Sequence, residues 1–478
     1  MTDKSTTRSE KTTRRWLLRP GERRILLVIV DFLVAAIALT ASLFVWSWAD
    51  IYFDFNIEFL RTIPGWFFLL PFIWVILMVE LYDEHRASNW KQTTRGIAMT
   101  GLIALGLYLV IYFFYSTPKS LNRRGVAGFI LAATAMTYLW RLMYIRIFTA
   151  PEFMRRVLLV GAGETGQIIL SVVNKITPPP FVWVGMIDDD PNKIGMEKEG
   201  YRVLGNSEDL LEIIRQERIS DVIVAISGEM QGRMFQALLD AQEMGIAITR
   251  MPVAYEELLV RVPIQHLEAD WILRSFVDQA RQNGFFEVSK RLIDITGGLI
   301  GCGIFVLFFP LLSIAILLDS GWPIFYQQTR SGRGAQPYKI LKFRTMGVDA
   351  EPDGQPQWAE ENDKRATRVG RILRKTHLDE LPQFINVLKG EMSLVGPRAE
   401  RPELVNWFQQ HVPFYRARLL VKPGITGWAQ VNFGYASTIE ETITKLEYDL
   451  YYIKHRNLIL DLVILLRTPA TVFGLRGR

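Results

Sequence analysis
Four long apolar runs in the first 150 residues, at 25–48, 66–82, 97–116 and 126–148, constrain this 478-residue chain more than any other feature. Each approaches or exceeds the roughly 20 residues that cross a bilayer core about 30 Å thick. Backbone groups inside a bilayer must bond within their own segment, so the runs predict a four-helix transmembrane bundle over 25–150. The first run is too long and begins too late to be a secretory signal, and it lacks a small-residue cleavage site. Eight basic residues from Lys4 to Arg24 precede it and make 1–24 a basic tail. The 49–65 loop carries Asp50, Asp54 and Glu58 against Arg61. Arg86, Lys91 and Arg95 occupy the next loop, and Arg155 and Arg156 follow the last run. The positive-inside rule then places both ends of the bundle in the cytoplasm, although Lys119, Arg123 and Arg124 would face outward. Asp31 and Arg141 lie within the runs, where an interhelical ion pair or snorkelling near a helix end accounts for them without a functional role.

Charge divides the chain further. Residues 1–150 hold 17 basic and 10 acidic side chains, 151–284 hold 13 and 20, and 285–478 hold 25 and 19. This basic–acidic–basic layout predicts three units, the outer two facing anions. The apolar runs favour membrane lipids over nucleic acid as the partner. A single cysteine, Cys302, excludes a disulfide framework and a cysteine-based zinc site, and the five scattered histidines argue against a His-rich metal centre.

In the middle unit, an apolar run at 157–160 leads into Gly161-Ala-Gly163-Glu-Thr-Gly166 and then a helical pattern over 167–174. Strand, glycine-rich turn and helix start together resemble a Rossmann-like phosphate-binding turn: Gly161 for the tight turn, Gly163 for close backbone approach, and the helix N-terminus for an anion. A second run at 182–187 ends in Asp188-Asp189-Asp190, about where a ribose-binding acid is expected, which nominates Asp188. Runs at 222–226 and 246–249 read as further strands, so 151–284 is expected to form a parallel sheet covered by helices. The turn is compatible with dinucleotide catalysis, nucleotide sensing, or a structural or dimerising role.

In the last unit, Lys290 and Arg291 precede an apolar run at 292–318 that contains Pro310. Eleven basic residues follow between Arg330 and Lys375. Basic flanks on both sides predict that both ends stay cytoplasmic, as in a re-entrant helix bent at the proline; a kinked span is the alternative. Alternation of basic and apolar residues from Tyr338 to Met346 reads as a strand with cations on one face. Beyond it, Asp379 and Glu380 lie in a segment rich in Arg and Lys. Phosphoryl transfer needs cations, usually a divalent metal, and a nucleophile in line, and a carboxylate can be that nucleophile. Helix capping by a Thr376-x-x-Asp379 box explains the same residues without chemistry.

From Ser289 onward the chain resembles the bacterial sugar transferases that initiate polysaccharide assembly, the monotopic phosphoglycosyl transferases. The resemblance rests on LKFRTM at 341–346, KTHLDELPQFINVLKGEMSLVGPR at 375–398, VKPGITGWAQVN at 421–432 and YDLYYIKHRNLILDL at 448–462. The bundle and the α/β unit ahead of it are similar to the long form of that family. The resemblance implies an α+β catalytic domain over 285–478, with a re-entrant helix at 290–318 and interfacial helices near the C-terminus, in a multi-domain membrane protein of the bacterial inner membrane. It implies that Asp379 attacks the β-phosphate of a UDP-sugar, releasing UMP, and passes the sugar phosphate to undecaprenyl phosphate. Glu380 would help Asp379 to hold Mg²⁺, and Arg398 would contact phosphate. Exopolysaccharide or O-antigen-type synthesis is the implied setting, and the α/β domain suggests a homodimer.

Lys342, Arg344 and Arg374 are further phosphate candidates by charge and position, with lipid headgroups or helix ends as their alternative partners. Two departures from the family pattern stand out: Phe309 precedes Pro310 where a serine is usual, and Ala399 replaces the second proline after Arg398. The mix of apolar and basic residues over 448–467 suits helices in the headgroup plane or an ordinary packed helix. A non-catalytic nucleotide-sensing regulator is the rival reading. A membrane-bound NAD(P)-dependent oxidoreductase is disfavoured by the lack of a Tyr-x-x-x-Lys pair in the middle unit.

Overall fold
The computed structural model describes residues 20–49, 55–114, 123–149, 154–228, 230–264, 284–347, 365–434 and 438–472. The expected basic tail up to residue 19, the acids Asp50 and Asp54, and Lys119 lie outside the described residues. The chain forms two compact units, Met1–Met251 and Pro252–Arg478.

In the first unit, three of the four apolar runs become long helices: α1 (Pro20–Ala49), α3 (Trp90–Phe114) and α4 (Arg123–Phe148). The run at 66–82 differs. It is helical only in pieces, with α2 (Leu70–Leu77) between single 3₁₀ segments, and its continuous apolar helix covers Gly65–Leu77. That is about 20 Å, short of a bilayer core. Pro71 sits in the first turn of α2, where its missing N–H breaks no helical bond. The bundle turns Leu102, Leu105, Leu109 and Phe113 outward and buries polar groups, the arrangement a lipid solvent demands. Asp31 and Arg141 form an ion pair at 2.6 Å, both fully buried, and Arg141 also donates to the Leu81 carbonyl at 2.9 Å. This interhelical pair joins α1 to α4. Removing either partner would leave an uncompensated buried charge, at a cost of about 3–5 kcal/mol.

The rest of that unit is a six-stranded sheet in the order β3-β4-β2-β1-β5-β6. Its strands are β1 (Arg156–Val160), β2 (Val182–Ile187), β3 (Glu197–Lys198), β4 (Tyr201–Gly205), β5 (Asp221–Val224) and β6 (Ala247–Arg250). All neighbours are parallel except the short β3–β4 pair. Helices α5 (Glu164–Asn174), α6 (Leu210–Gln216) and α7 (Gly232–Glu243) connect the strands. Both faces being covered, the central strands are buried Val, Leu and Ile.

Helix α8 (Met251–Leu259) lies, from Pro252 onward, in the second unit and packs on that unit's C-terminal elements. Glu256 bonds Lys454 and His455 at 2.7 and 2.9 Å, and Trp428 donates to the Val260 carbonyl. Next comes α9 (Gly284–Ser320), a single helix of 37 residues with Pro310 inside it. Its buried stripe runs Asp294, Gly298, Gly301, Leu312, Ile316, with Phe305 and Phe309 packed on the same side. Leu292, Leu299, Leu307, Leu311, Ile314 and Leu318 are exposed. The spacing of three and four residues keeps each stripe on one face along the whole helix.

An antiparallel hairpin of β7 (Phe325–Ser331) and β8 (Pro337–Phe343) lies against it, followed by α10 (Arg368–Thr376), α11 (Gln383–Lys389) and β9 (Ser393–Val395). The unit ends with β10 (Gly424–Thr426), parallel to β9, and with α12 (Ile439–His455) and α13 (Leu458–Val472). Helix α12 is a packed helix, not a surface one: Ile443, Leu446, Leu450, Tyr452 and Ile453 are buried. Helix α13 leaves Ile459 and Leu462 exposed.

Candidate active site
Local sequence chemistry carries the acidic pair inward. Thr367 caps α10, its hydroxyl accepting from the Gly370 N–H at 2.9 Å. Gly370 stands against the Thr345 carbonyl, where no Cβ fits, so α10 can lie directly on the strand exit. His377 adopts a left-handed conformation (φ 55°) and its N–H meets the Leu373 and Arg374 carbonyls, ending the helix. One 3₁₀ turn, Leu378–Glu380, then holds the two carboxylates, with Asp379 only 8% exposed. Thr376 donates to the Ile372 and Leu373 carbonyls of its own helix and does not cap Asp379.

Two cations from other elements close on Glu380. Lys342 Nζ of β8 donates to Glu380 Oε1 at 2.8 Å, and Arg398 Nη2, three residues past β9, donates to the same oxygen at 2.9 Å. Burial alone would raise Glu380, but Arg398 and Lys342 outweigh it and hold the carboxyl well below its usual range. Asp379 goes the other way. Burial raises it and the Glu380 charge adds to the rise, while Lys342, Arg398 and His377 oppose it. Two adjacent carboxylates are thus split into one held low in pKa and clamped, and one buried, raised in pKa and, among the described residues, not clamped by hydrogen bonds. Such divergence marks functional pairs.

Of the other cations expected at phosphate, Arg374 lies half-buried in the last turn of α10, just ahead of the pair. Arg344 takes the helix-end alternative. Its Nη2 donates to the Ser320 carbonyl and hydroxyl and to the Gly321 carbonyl, at 2.5–2.9 Å, at the C-terminus of α9. Sequence reasoning missed the scaffold behind Arg398. The Arg398 carbonyl accepts from Arg418, which also pairs with buried Asp449 at 2.9 Å and lies 3.5 Å from Glu400. Lys445 and Arg330 complete the ring around Glu400. Burial pushes Glu400 up, yet Lys445, Arg418, Arg330 and Arg398 bring it down to about 2. The one signal in the sequence was Glu400 standing two residues after Arg398.

Among the described residues no group of three or more His, Cys, Asp or Glu could hold a metal alone. Asp379 and Glu380 still suit Mg²⁺, which characteristically takes one or two carboxylates and completes its shell with substrate phosphates and water.

In the glycine-rich turn, Gly161 (φ 105°) abuts the Ala225 carbonyl and Gly166 abuts Gly161, whereas open space lies before Gly163. Asp188, the candidate ribose acid, accepts from Ala162 N–H at 2.8 Å and from Asp190 N–H at 3.0 Å, with Lys193 at 3.1 Å. Burial raises Asp188, but these bonds outweigh it and hold it low. The acid is therefore engaged by the glycine-rich turn through Ala162 and by its own loop through Asp190 and Lys193, an arrangement that suits a structural turn.

A family model described as bacterial sugar transferase matches residues 285–475, and one described as a CoA-binding domain matches 77–252. The chain is similar to the UDP-N-acetylgalactosamine-undecaprenyl-phosphate N-acetylgalactosaminephosphotransferase of Aeromonas hydrophila, 40% identical over 238 residues. That match covers 48% of this chain and 55% of the relative, so it spans about half of each. The UDP-glucose:undecaprenyl-phosphate glucose-1-phosphate transferase of Xanthomonas campestris pv. campestris is 28% identical over 422 residues, 84% of this chain and 85% of the relative. The enzyme of the same name from Escherichia coli (strain K12) is 31% identical over 319 residues, 66% of this chain and 67% of the relative.

Proposed function
The chain belongs to the bacterial sugar transferase family, and from that premise we propose that it transfers a hexose 1-phosphate from a UDP-sugar to undecaprenyl phosphate, releasing UMP. The observation that carries this reading is the split pair: Glu380 clamped by Lys342 and Arg398, with Asp379 beside it and unclamped.

An oxygen of Asp379 bonds to the β-phosphorus of the UDP-sugar as the bond from that phosphorus to the bridging oxygen breaks. The electron pair leaves with UMP, and Asp379 carries the sugar phosphate as an acyl phosphate. A phosphate oxygen of undecaprenyl phosphate then bonds to the same phosphorus, the bond to Asp379 breaks, and the carboxylate is restored. Lys342 and Arg398 lie where negative charge gathers on the phosphoryl oxygens, and they act there without reorganising. Arg398, with its side chain 36% exposed against 18% for Lys342, is the more accessible of the two to an arriving pyrophosphate. Mg²⁺ held by Asp379 and Glu380 with substrate phosphate would supply further charge neutralisation.

The catalytic unit works at the cytoplasmic face of the inner membrane, with both ends of α9 on that side. On this reading the reaction is the first membrane step of an exopolysaccharide or O-antigen-type glycan. A nucleotide-sensing regulator gains no support, since Asp188 is already engaged by Ala162 of the glycine-rich turn and by Asp190 and Lys193. The purified protein incubated with Mg²⁺, undecaprenyl phosphate and a panel of UDP-sugars should release UMP with one of them. Asp379→Asn should lower that release by about three orders of magnitude or more. Equal turnover by wild type and Asp379→Asn would remove the reading.

A further inference from the structure
Arg398 stands on an irregular stretch of chain. Strand β9 ends at Val395, and from there to Arg401 the backbone is neither helix nor strand, apart from a single bridge between Arg398 and Gly424. Pro397 fixes φ ahead of the arginine, but Ala399 behind it carries no such restraint. A guanidinium on a long flexible side chain is placed only as well as the main chain that bears it.

Four successive carbonyls of this stretch nevertheless have donors. Pro397 accepts from the Gly424 N–H at 2.9 Å, Arg398 from Arg418 Nη2 at 3.1 Å, Ala399 from Arg330 Nη1 at 3.1 Å and Glu400 from the Ser331 N–H at 2.9 Å. The Arg398 side chain meanwhile reaches Glu380 Oε1 at 2.9 Å. Arg418 is the side chain bonded to the Arg398 carbonyl itself. It is buried on a 3₁₀ segment, Tyr415–Leu420, and its other bonds run to the Tyr415 hydroxyl at 2.6 Å and to Asp449 Oδ2 at 2.9 Å. Burial opposes its charge, yet Tyr415, Asp449 and Glu400 outweigh that. Asp449 belongs to α12, as does Lys445, which reaches Glu400 at 3.3 Å, so a packed helix stands behind the loop. A buried ion network gains little stability over an apolar core, whereas a well-paired one specifies a single geometry. The geometry specified at this loop is the position of the Arg398 main chain.

We infer that Arg418, held by Asp449, is a positioning residue that fixes the Arg398 backbone so that its guanidinium meets Glu380 and the substrate phosphate already in place. The inference rests on the proposed transfer reaction and adds to it a residue that acts through Arg398. UMP release by the purified full-length protein is measured for Arg418→Gln, Arg398→Ala and the double variant, together with the thermal transition of each. Arg418→Gln should lower kcat/KM about 10²-fold, the scale of loss expected when a binding group is misplaced by about 1 Å. In the Arg398→Ala background the same change should cost less than about threefold, because an absent side chain cannot be misplaced. Asp449→Asn, which removes the charge and keeps the shape, should follow the same pattern with a loss of about tenfold, and it decides the matter if Arg418→Gln does not fold. Losses that multiply in the double variant, or wild-type rates in both Arg418→Gln and Asp449→Asn, would overturn the positioning role while leaving the reaction intact. Wild type releasing no UMP from any UDP-sugar would instead remove the reaction, and the inference with it.

Discussion
At the scale of single residues, Asp379 and Glu380 are set apart by charges placed unequally around two adjacent acids. A nucleophilic Asp379 must be ionised, and its pKa is raised, so turnover should fall with decreasing pH at a point above the ordinary carboxylate range. The neighbours set where that happens. Lys342 lowers the Asp379 pKa, so Lys342→Met should move the acid limb of kcat/KM to higher pH. Glu380 raises it, so Glu380→Gln should move the limb to lower pH, and both variants should lose about 10²–10³ in rate. Shifts of the same sign in the two variants, or none, would mean that Asp379 is not the titrating group. The acidic pair and Arg398 were legible in the sequence because a resemblance spanning about 190 residues singled them out. Lys342 was legible only as a cation on a strand, and the same reasoning nominated Arg344 two positions further on. Alternation along a strand gives a face but not its partner, and the partner of Arg344 is the end of α9.

At the scale of elements, the sequence was most readable where one physical requirement dominated. The run at 182–187 has the same limits as β2, because a central strand buried over most of its length is continuously apolar. The run at 66–82 misled because mean apolarity does not encode the breaks between its short helices. Helix α9 shows what a glycine count could not. The ring of Phe384 occupies the position of a Gly301 Cβ, Leu394 and Leu388 do the same at Gly297 and Gly298, and nothing approaches Gly303. Glycines on the covered stripe are thus there for close approach, and Gly303 on the other side is not. Gly301→Leu should destabilise the catalytic unit by about 1–3 kcal/mol through overpacking. Gly303→Leu should stay within about 0.5 kcal/mol. Urea unfolding of the two variants compares them, and equal losses would mean that α9 does not pack as described.

At the scale of the whole molecule, α9 decides how the chemistry meets the membrane. A helix of 37 residues is about 55 Å long, more than enough to cross a bilayer. Yet the same compact unit holds it at both ends. Lys290 Nζ bonds the Val395 carbonyl at 3.0 Å near its start, and Asp319 accepts from the Val369 N–H at 2.8 Å near its finish. One folded unit cannot lie on both sides of a bilayer, so contacts at both ends favour a helix that enters and returns, or lies along the surface, over one that crosses. The basic residues flanking the run at 292–318 led to the same expectation through the cost of translocating charge. In a Cys302→Ser background, Gly284→Cys and Trp322→Cys place one thiol at each end of α9. A membrane-impermeant maleimide should label both in inverted vesicles and neither in intact spheroplasts. Labelling of the two thiols from opposite sides would make α9 a true span and would separate the catalytic unit from one end of its own helix.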